Sequence, residues 1–169
     1  MTVLTGVEVI RNGIVDPWGE RTVHKSGLTY GKSYAGYDLR LGRDVHIRRN
    51  DPDQAYAYVP FGLGITLERV TMPRSCIGFI KDKSSLARAG IGVMNTVIEP
   101  GWRGWVTLEI VCYRREYVLP AGMPICQLVV LHLKHGVEQG YEGAYMDASS
   151  EPQPSKAQDW LDSQPTHIY

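Results

Sequence analysis

From Tyr37 to Leu133 the chain is a succession of short apolar-rich runs, each ended by glycine, proline or a charged turn. The clearest run is Trp105 to Cys112. Val106, Leu108, Ile110 and Cys112 fall on one face, and Trp105, Thr107, Glu109 and Val111 on the other. That alternation predicts a strand with one face in the core. Further strands are expected at Asp38 to Leu41, Val45 to Ile47, Tyr56 to Pro60, Leu63 to Val70, Cys76 to Ile80, Tyr117 to Leu119 and Ile125 to Leu133. Pro60, Gly62, Pro73, Arg74 and the Pro120-Ala121-Gly122 turn stand at the breaks. Many short strands at fairly even spacing predict a mainly β chain, built as a jelly-roll-like sandwich or barrel.

Helical signals are few. Thr5-Gly6-Val7-Glu8 matches a capping box, with Asn12-Gly13 as the stop. Ser84 to Arg88 reads as one or two helical turns with a hydroxyl cap and Gly90 as the stop. Between them, Ile14 to Ser33 is dotted with glycine and serine and predicts loop with one short strand. From Gly136 onward the chain is polar, proline-bearing and poor in aliphatic residues, which predicts a mobile tail. Residues 158–169 are expected to be disordered. The organisation expected is a β domain over residues 1–135 and a partly flexible tail over 136–169.

Composition narrows the class. At 169 residues the chain suits one domain with a single core. Lysine plus arginine equals aspartate plus glutamate at 18 each, so no global basic field argues for nucleic acid or a membrane surface. A local positive pocket for an anion remains compatible with that balance. The three cysteines, Cys76, Cys112 and Cys126, lie apart in apolar runs and read as reduced core thiols of a cytoplasmic protein. No run is long and apolar enough to span a bilayer, and there is no signal-peptide pattern. His24, His46, His132, His135 and His167 have no metal-ligand spacing, and the H-x-E and P-C-x-x-C pattern of zinc deaminases is absent.

Chemistry concentrates between Lys81 and Glu109. A helix start at Ser84 and Ser85 offers free backbone N–H groups to an anion, and Arg88 lies one turn on. A capped surface turn with a solvated arginine has the same sequence, so the helix alone leaves both readings open. Pro100 to Gly104 is a turn leading into the strand that carries Glu109. A carboxyl in so apolar a strand, if desolvated, has a raised pKa and can serve as general base and acid near neutral pH. A glutamate on the wet face of an antiparallel strand is the bland alternative. Asp38 reads as a structural or subunit-contact carboxylate, and Tyr56, Tyr58, Trp102 and Trp105 as core or interface aromatics.

KSSLARAGIGV, followed by IEPGWRGWVTLEI, resembles the central motif of the dCTP deaminases within the dUTPase-like superfamily. The family pattern runs R/K-S-S-L-x-R-x-G, then T-A-x-x-I-D-P-G-W/F-x-G, then L-E. YAGYDLRLG at Tyr34 to Gly42 is similar to an early family motif, and Pro152 to Lys156 to the one closing the tail. The resemblance implies a distorted jelly-roll (β-clip) barrel assembled as a homotrimer with active sites between subunits. It implies zinc-independent hydrolytic deamination of dCTP, or a closely related deoxycytidine nucleotide, to dUTP and ammonia. Glu109 would be the catalytic acid/base, with Ser84 and Arg88 as catalytic partners. Lys83 and Ser85 would contact phosphates, Thr96 would lie in the base-recognition loop, and Glu99 and Tyr141 would also contact substrate. Magnesium would be held through the nucleotide phosphates, and the tail would close as a lid.

The sequence departs from that pattern in two places. The segment between Arg88 and Glu99 is two residues shorter, and Met94 to Glu99 replaces T-A-x-x-I-D. In the tail, Ala144 stands where relatives carry a phosphate-binding lysine. The resemblance therefore leaves room for two further functions. One is a dUTP diphosphatase or a bifunctional enzyme; the other is a nucleotide-binding trimer without catalysis.

Overall fold

The computed structural model describes residues 1–48, 59–94 and 96–164. In chain order its strands are β1 (Thr2–Val3), β2 (Val15–Asp16), β3 (Thr22–Val23), β4 (Thr29–Lys32), β5 (Tyr37–Arg40), β6 (Val45–Ile47) and β7 (Phe61–Thr71). They continue as β8 (Cys76–Asp82), β9 (Ile91–Val93), β10 (Val97–Ile98), β11 (Arg103–Cys112), β12 (Tyr117–Leu119) and β13 (Pro124–His132). Three short helices join them: α1 (Gly6–Arg11), α2 (Ser84–Arg88) and α3 (Gln158–Asp162). The strand expected at Tyr56 to Pro60 falls largely outside the described residues, as do Tyr56, Tyr58 and His167.

Two sheets carry the fold. One runs β10-β8-β13-β5-β4-β3, with β1 also paired to β13; the other runs β2-β7-β11-β9. A separate ribbon pairs β12 with β6. Every strand pair is antiparallel, so one face of each sheet can turn to the core and the other to solvent or a cavity. The core between them includes Leu39, Leu41, Ile65, Leu108, Ile110, Ile125, Leu128 and Val130, all essentially without exposure. Burying such side chains contributes about 1.5–3 kcal/mol each. The mainly β class expected from the strand runs is what forms.

The region from residue 14 to 33 differs from its expectation. Instead of one short strand it contains three, and β3 pairs with β4 through Thr22↔Tyr30 and Val23↔Thr29. The side chains of Thr22 and Val23 are exposed, so no apolar alternation marks that hairpin in the sequence. At α1, by contrast, Thr5 and Glu8 form the reciprocal capping box that the motif predicts.

An ion pair lies deep in the structure. Glu68 on β7 is fully buried and accepts from the Arg40 backbone N–H at 2.9 Å and from its Nε at 2.6 Å. Burial pushes the Glu68 carboxyl above its usual range even against these two bonds. Removing the cation leaves a buried charge without its partner. Arg40→Met should therefore lower the unfolding free energy by about 3–5 kcal/mol near neutral pH. The deficit should grow between about pH 5 and pH 8, because an unpaired Glu68 must fold uncharged. Urea denaturation at the two pH values checks this, and a loss below about 1 kcal/mol at both would contradict it.

Candidate active site

Strand β11 builds the site. Its antiparallel pairing with β7 sets Glu109 opposite Leu63, and its pairing with β9 sets Ile110 opposite Val93. With Val106, Leu108, Ile110 and Cys112 committed to the core, the pleat turns Trp105, Thr107 and Glu109 the other way. They face a cavity of about 410 Å³. Thr96 and Glu99 line it from the loop around β10, and Phe61 and Leu63 from β7.

Glu109 is half-buried, and burial raises its carboxyl above the usual carboxylate range. Its own backbone N–H opposes that shift only in part. No lysine or arginine lines this cavity among the described residues. The group is thus a partly desolvated carboxyl, which suits it to gain and lose a proton.

The tail forms the opposite wall. Tyr141, Tyr145, Ala148, Gln153, Pro154 and Ser155 all line the Glu109 cavity. The segment follows the start of β11. The Tyr141 amide donates to the Pro100 carbonyl at 2.8 Å, and the Trp105 amide to the Ala148 carbonyl at 3.2 Å. The Trp102 indole N–H donates to the Tyr145 carbonyl at 2.9 Å, and the Gln153 amide to Thr107 Oγ1 at 3.0 Å. Gly101 and Gly104 make this approach feasible. A Cβ on Gly101 would sit 2.7 Å from Gly140 Cα, and one on Gly104 would sit 2.7 Å from the Ala148 amide nitrogen. Arg103 donates to Asp147 and holds its carboxyl below the usual range. Ala144 is exposed and lines no part of this wall.

The serine segment lies elsewhere. Lys83, Ser84 and Ser85 line a second cavity of about 410 Å³, together with Arg21, Tyr34, Asp38 and Gln127. The two cavities share no lining residue, and Arg88, exposed on α2, lines neither. The predicted residues therefore fall into two groups: Glu109, Thr96, Glu99 and Tyr141 in one cavity, and Lys83, Ser84 and Ser85 in the other.

Two details of α2 correct the sequence reading. The residue at its N-cap is Lys83, which makes no side-chain capping bond, so the serines do not cap the helix. Their hydroxyls stay exposed at the first helical positions. Nor is Lys83 a free cation, because its Nζ lies 2.8 Å from the buried carboxylate of Asp38. Trp102 and Trp105 also do more than fill core: both line the Glu109 cavity.

The comparisons bear on this arrangement. A family model described as dCTP deaminase-like matches residues 51–133. A dCTP deaminase of Helicobacter pylori is 31% identical over 159 residues, covering 79% of this chain and 83% of its own length. The chain belongs to the dCTP deaminase family. A dCTP deaminase of Pyrococcus horikoshii is 31% identical over 143 residues, covering 80% of this chain and 86% of its own. Among solved structures, the 2'-deoxycytidine 5'-triphosphate deaminase of Agrobacterium tumefaciens superposes with a TM-score of 0.56 at 14% identity. That match covers 80% of this chain and 50% of that one. A dUTPase of phage 80α superposes at 0.52 with 14% identity, covering 73% of this chain and 96% of that one. These two likenesses establish the dUTPase-like fold. None of the described helices is long and apolar enough to cross a membrane.

The raised pKa of Glu109 has a consequence for stability. A carboxyl whose folded pKa lies above its unfolded value binds more protons when folded. Its stabilising contribution is full below about pH 4.5, the ordinary value, and falls as pH rises through the folded pKa. Glutamine carries no such loss. Glu109→Gln should therefore match or exceed the wild type in stability at neutral pH, with the difference shrinking as pH falls below the ordinary carboxylate value. Melting temperatures of both proteins across that range check this. A variant distinctly less stable at neutral pH would contradict the desolvation argument.

Proposed function

We propose that this protein deaminates the cytosine ring of dCTP, or a closely related deoxycytidine nucleotide, by hydrolysis without zinc. The observation that carries the reading is the half-buried carboxyl of Glu109, with its raised pKa, in a cavity walled by aromatic rings and the tail. The cavity faces of Trp105 and Tyr141 suit a flat base. Glu109 takes a proton from water as its oxygen attacks C4 of the ring. The carboxyl then protonates the ring nitrogen and, after a further transfer, the exocyclic amine. The C4–N bond breaks, ammonia leaves, and the carbonyl of uracil remains. Proton transfer by a positioned carboxyl contributes about 10²–10⁴-fold.

The phosphate end needs a second surface. Among the described residues the Glu109 cavity is lined by two carboxylates, Glu99 and Glu109, and by no lysine or arginine, a lining that disfavours a polyphosphate there. Ser84, Ser85 and Arg88 lie outside it on the same chain. In the proposed homotrimer these residues come from a neighbouring copy, so that each site is shared between two subunits. Ser84 would position the water or the amine, Ser85 would contact a phosphate, and Arg88 would orient Glu109 or a phosphate. The tail would open to admit the nucleotide and close over it as a lid.

Among the described residues no group of three His, Cys, Asp or Glu side chains converges on one point. Magnesium would be held through the substrate's phosphate oxygens, whose charge it offsets when bound. A dUTPase of a Staphylococcus aureus phage, phi11, with this fold coordinates a structural Mg(II) ion.

One observation favours a second reading. Glu99 shares the cavity with Glu109 and could activate water toward a phosphate. On that reading the protein splits dUTP to dUMP and pyrophosphate, alone or after deamination.

Incubating the protein and magnesium with dCTP, dCDP, dCMP and dUTP separates these outcomes. The expected products are ammonia and a uracil nucleotide from at least one cytosine substrate. Glu109→Gln should keep the fold and lose at least about 10²-fold of that rate. Pyrophosphate from dUTP with no ammonia from any cytosine nucleotide would move the function to the second reading. A trimer is expected by sedimentation; a monomer fully active at high dilution would exclude the shared site.

A further inference from the structure

The second cavity raises a question of charge. If the serine segment meets the phosphates, as proposed above, some cation must stand beside it, and Lys83 is already engaged. Its ammonium faces Asp38, with both side chains largely withdrawn from solvent at 11% and 6% exposure. Thr29 Oγ1 donates to the same Asp38 carboxylate, at 3.1 Å. Asp82, the other carboxylate of the cavity, accepts from the Val93 amide at 2.7 Å. Arg21 is the other cation that lines the cavity. It is exposed and has no carboxylate partner among the described residues.

Arg21 is also held in a suitable way. Its guanidinium carbon lies 5.1 Å from the ring centroid of Tyr34, which is itself 85% exposed and lines the same cavity. A guanidinium stacked on a ring keeps its in-plane N–H groups free for another partner. The β3–β4 hairpin begins at the next residue and fixes the backbone there. Across the cavity, the hydroxyls of Ser84 and Ser85 make no hydrogen bond within the described structure. A free guanidinium and two free hydroxyls around one polar cavity are the donor set of an oxyanion site.

We infer that Arg21, oriented by Tyr34, binds the polyphosphate of the substrate opposite Ser85. The inference rests on the deaminase reading for the identity of the nucleotide. The anion site itself follows from the cavity. Because a triphosphate carries more charge than a monophosphate, Arg21 distinguishes dCTP from dCMP and leaves the chemistry at C4 alone. Tyr34 acts as its positioning residue.

The test is steady-state kinetics of Arg21→Ala and Arg21→Lys with dCTP and dCMP, beside calorimetric titration with inorganic tripolyphosphate. Arg21→Ala should raise KM for dCTP by about 10- to 100-fold, as loss of charge-assisted hydrogen bonds does. KM for dCMP should move much less, with kcat within about twofold on both. Arg21→Lys should recover part of the loss. Tyr34→Phe should resemble the wild type, and Tyr34→Ala should fall between. Arg11→Ala, which removes the same charge from α1 at a residue lining neither cavity, controls for net charge and should leave KM unchanged. Unchanged KM for dCTP in Arg21→Ala, or an equal change for dCMP, would overturn the inference while leaving the deaminase reading intact. If the wild type releases no ammonia from any nucleotide, tripolyphosphate decides. Weaker binding by Arg21→Ala then keeps the anion site and rejects the deaminase reading, and equal binding rejects Arg21.

Discussion

The structure depends on the pairing of β11 with β7. The register that sets Leu108 opposite Gly64 and Ile110 opposite Gly62 places the large apolar side chains of β11 against a neighbour that offers no bulk. In a pleated strand the period is two, so the choice made for Leu108 and Ile110 is also made for Glu109. Burial of the core face aims the carboxyl into the cavity, and a slip of one residue would exchange the two sets. The energy that holds Glu109 in place is thus the burial of its sequence neighbours, and no contact of its own is needed.

That constraint also explains why the tail matters. A carboxyl facing water has an ordinary pKa; Glu109 departs from it because it is partly withdrawn from solvent, in a cavity that the tail also lines. The wall is the stretch from Tyr141 to Ser155, bonded to the backbone of β11 and the turn before it. Gly101 and Gly104 allow that approach, which gives the glycines of the P-G-W-R-G turn a physical task. The proposed lid movement would change solvent access to Glu109, and so link substrate closure to the proton affinity of the proposed acid/base.

Much of this was legible in the residues. The alternation of β11, the capping box at Thr5 and Glu8 and the short turn of helix at Ser84 are local signals, and local signals survive into the fold. What escaped depends on partners distant in sequence. Nothing near Lys83 announces that Asp38, far upstream, neutralises it. Ser84 and Ser85 read as caps because serine favours that position, yet the helix begins one residue earlier and leaves their hydroxyls free. In the β3–β4 hairpin both β3 side chains are exposed, so that strand lacks a hydrophobic period. Arg21 carries no motif and Tyr34 only opens the YAGYDLRLG stretch, so nothing local in the sequence puts either beside the serines.

The central claim is that catalysis needs Glu109 of one subunit and the serine segment of another. Mixing two inactive variants, Glu109→Gln and Ser84→Ala, under conditions that exchange subunits tests it directly. Each shared site takes its glutamate from one copy and its serines from the next, and each contribution is intact in half of the copies. Random assembly of equal amounts should therefore restore about one quarter of wild-type deamination. If both variants are inactive alone and the exchanged mixture stays inactive, the site lies within a single chain and the account fails.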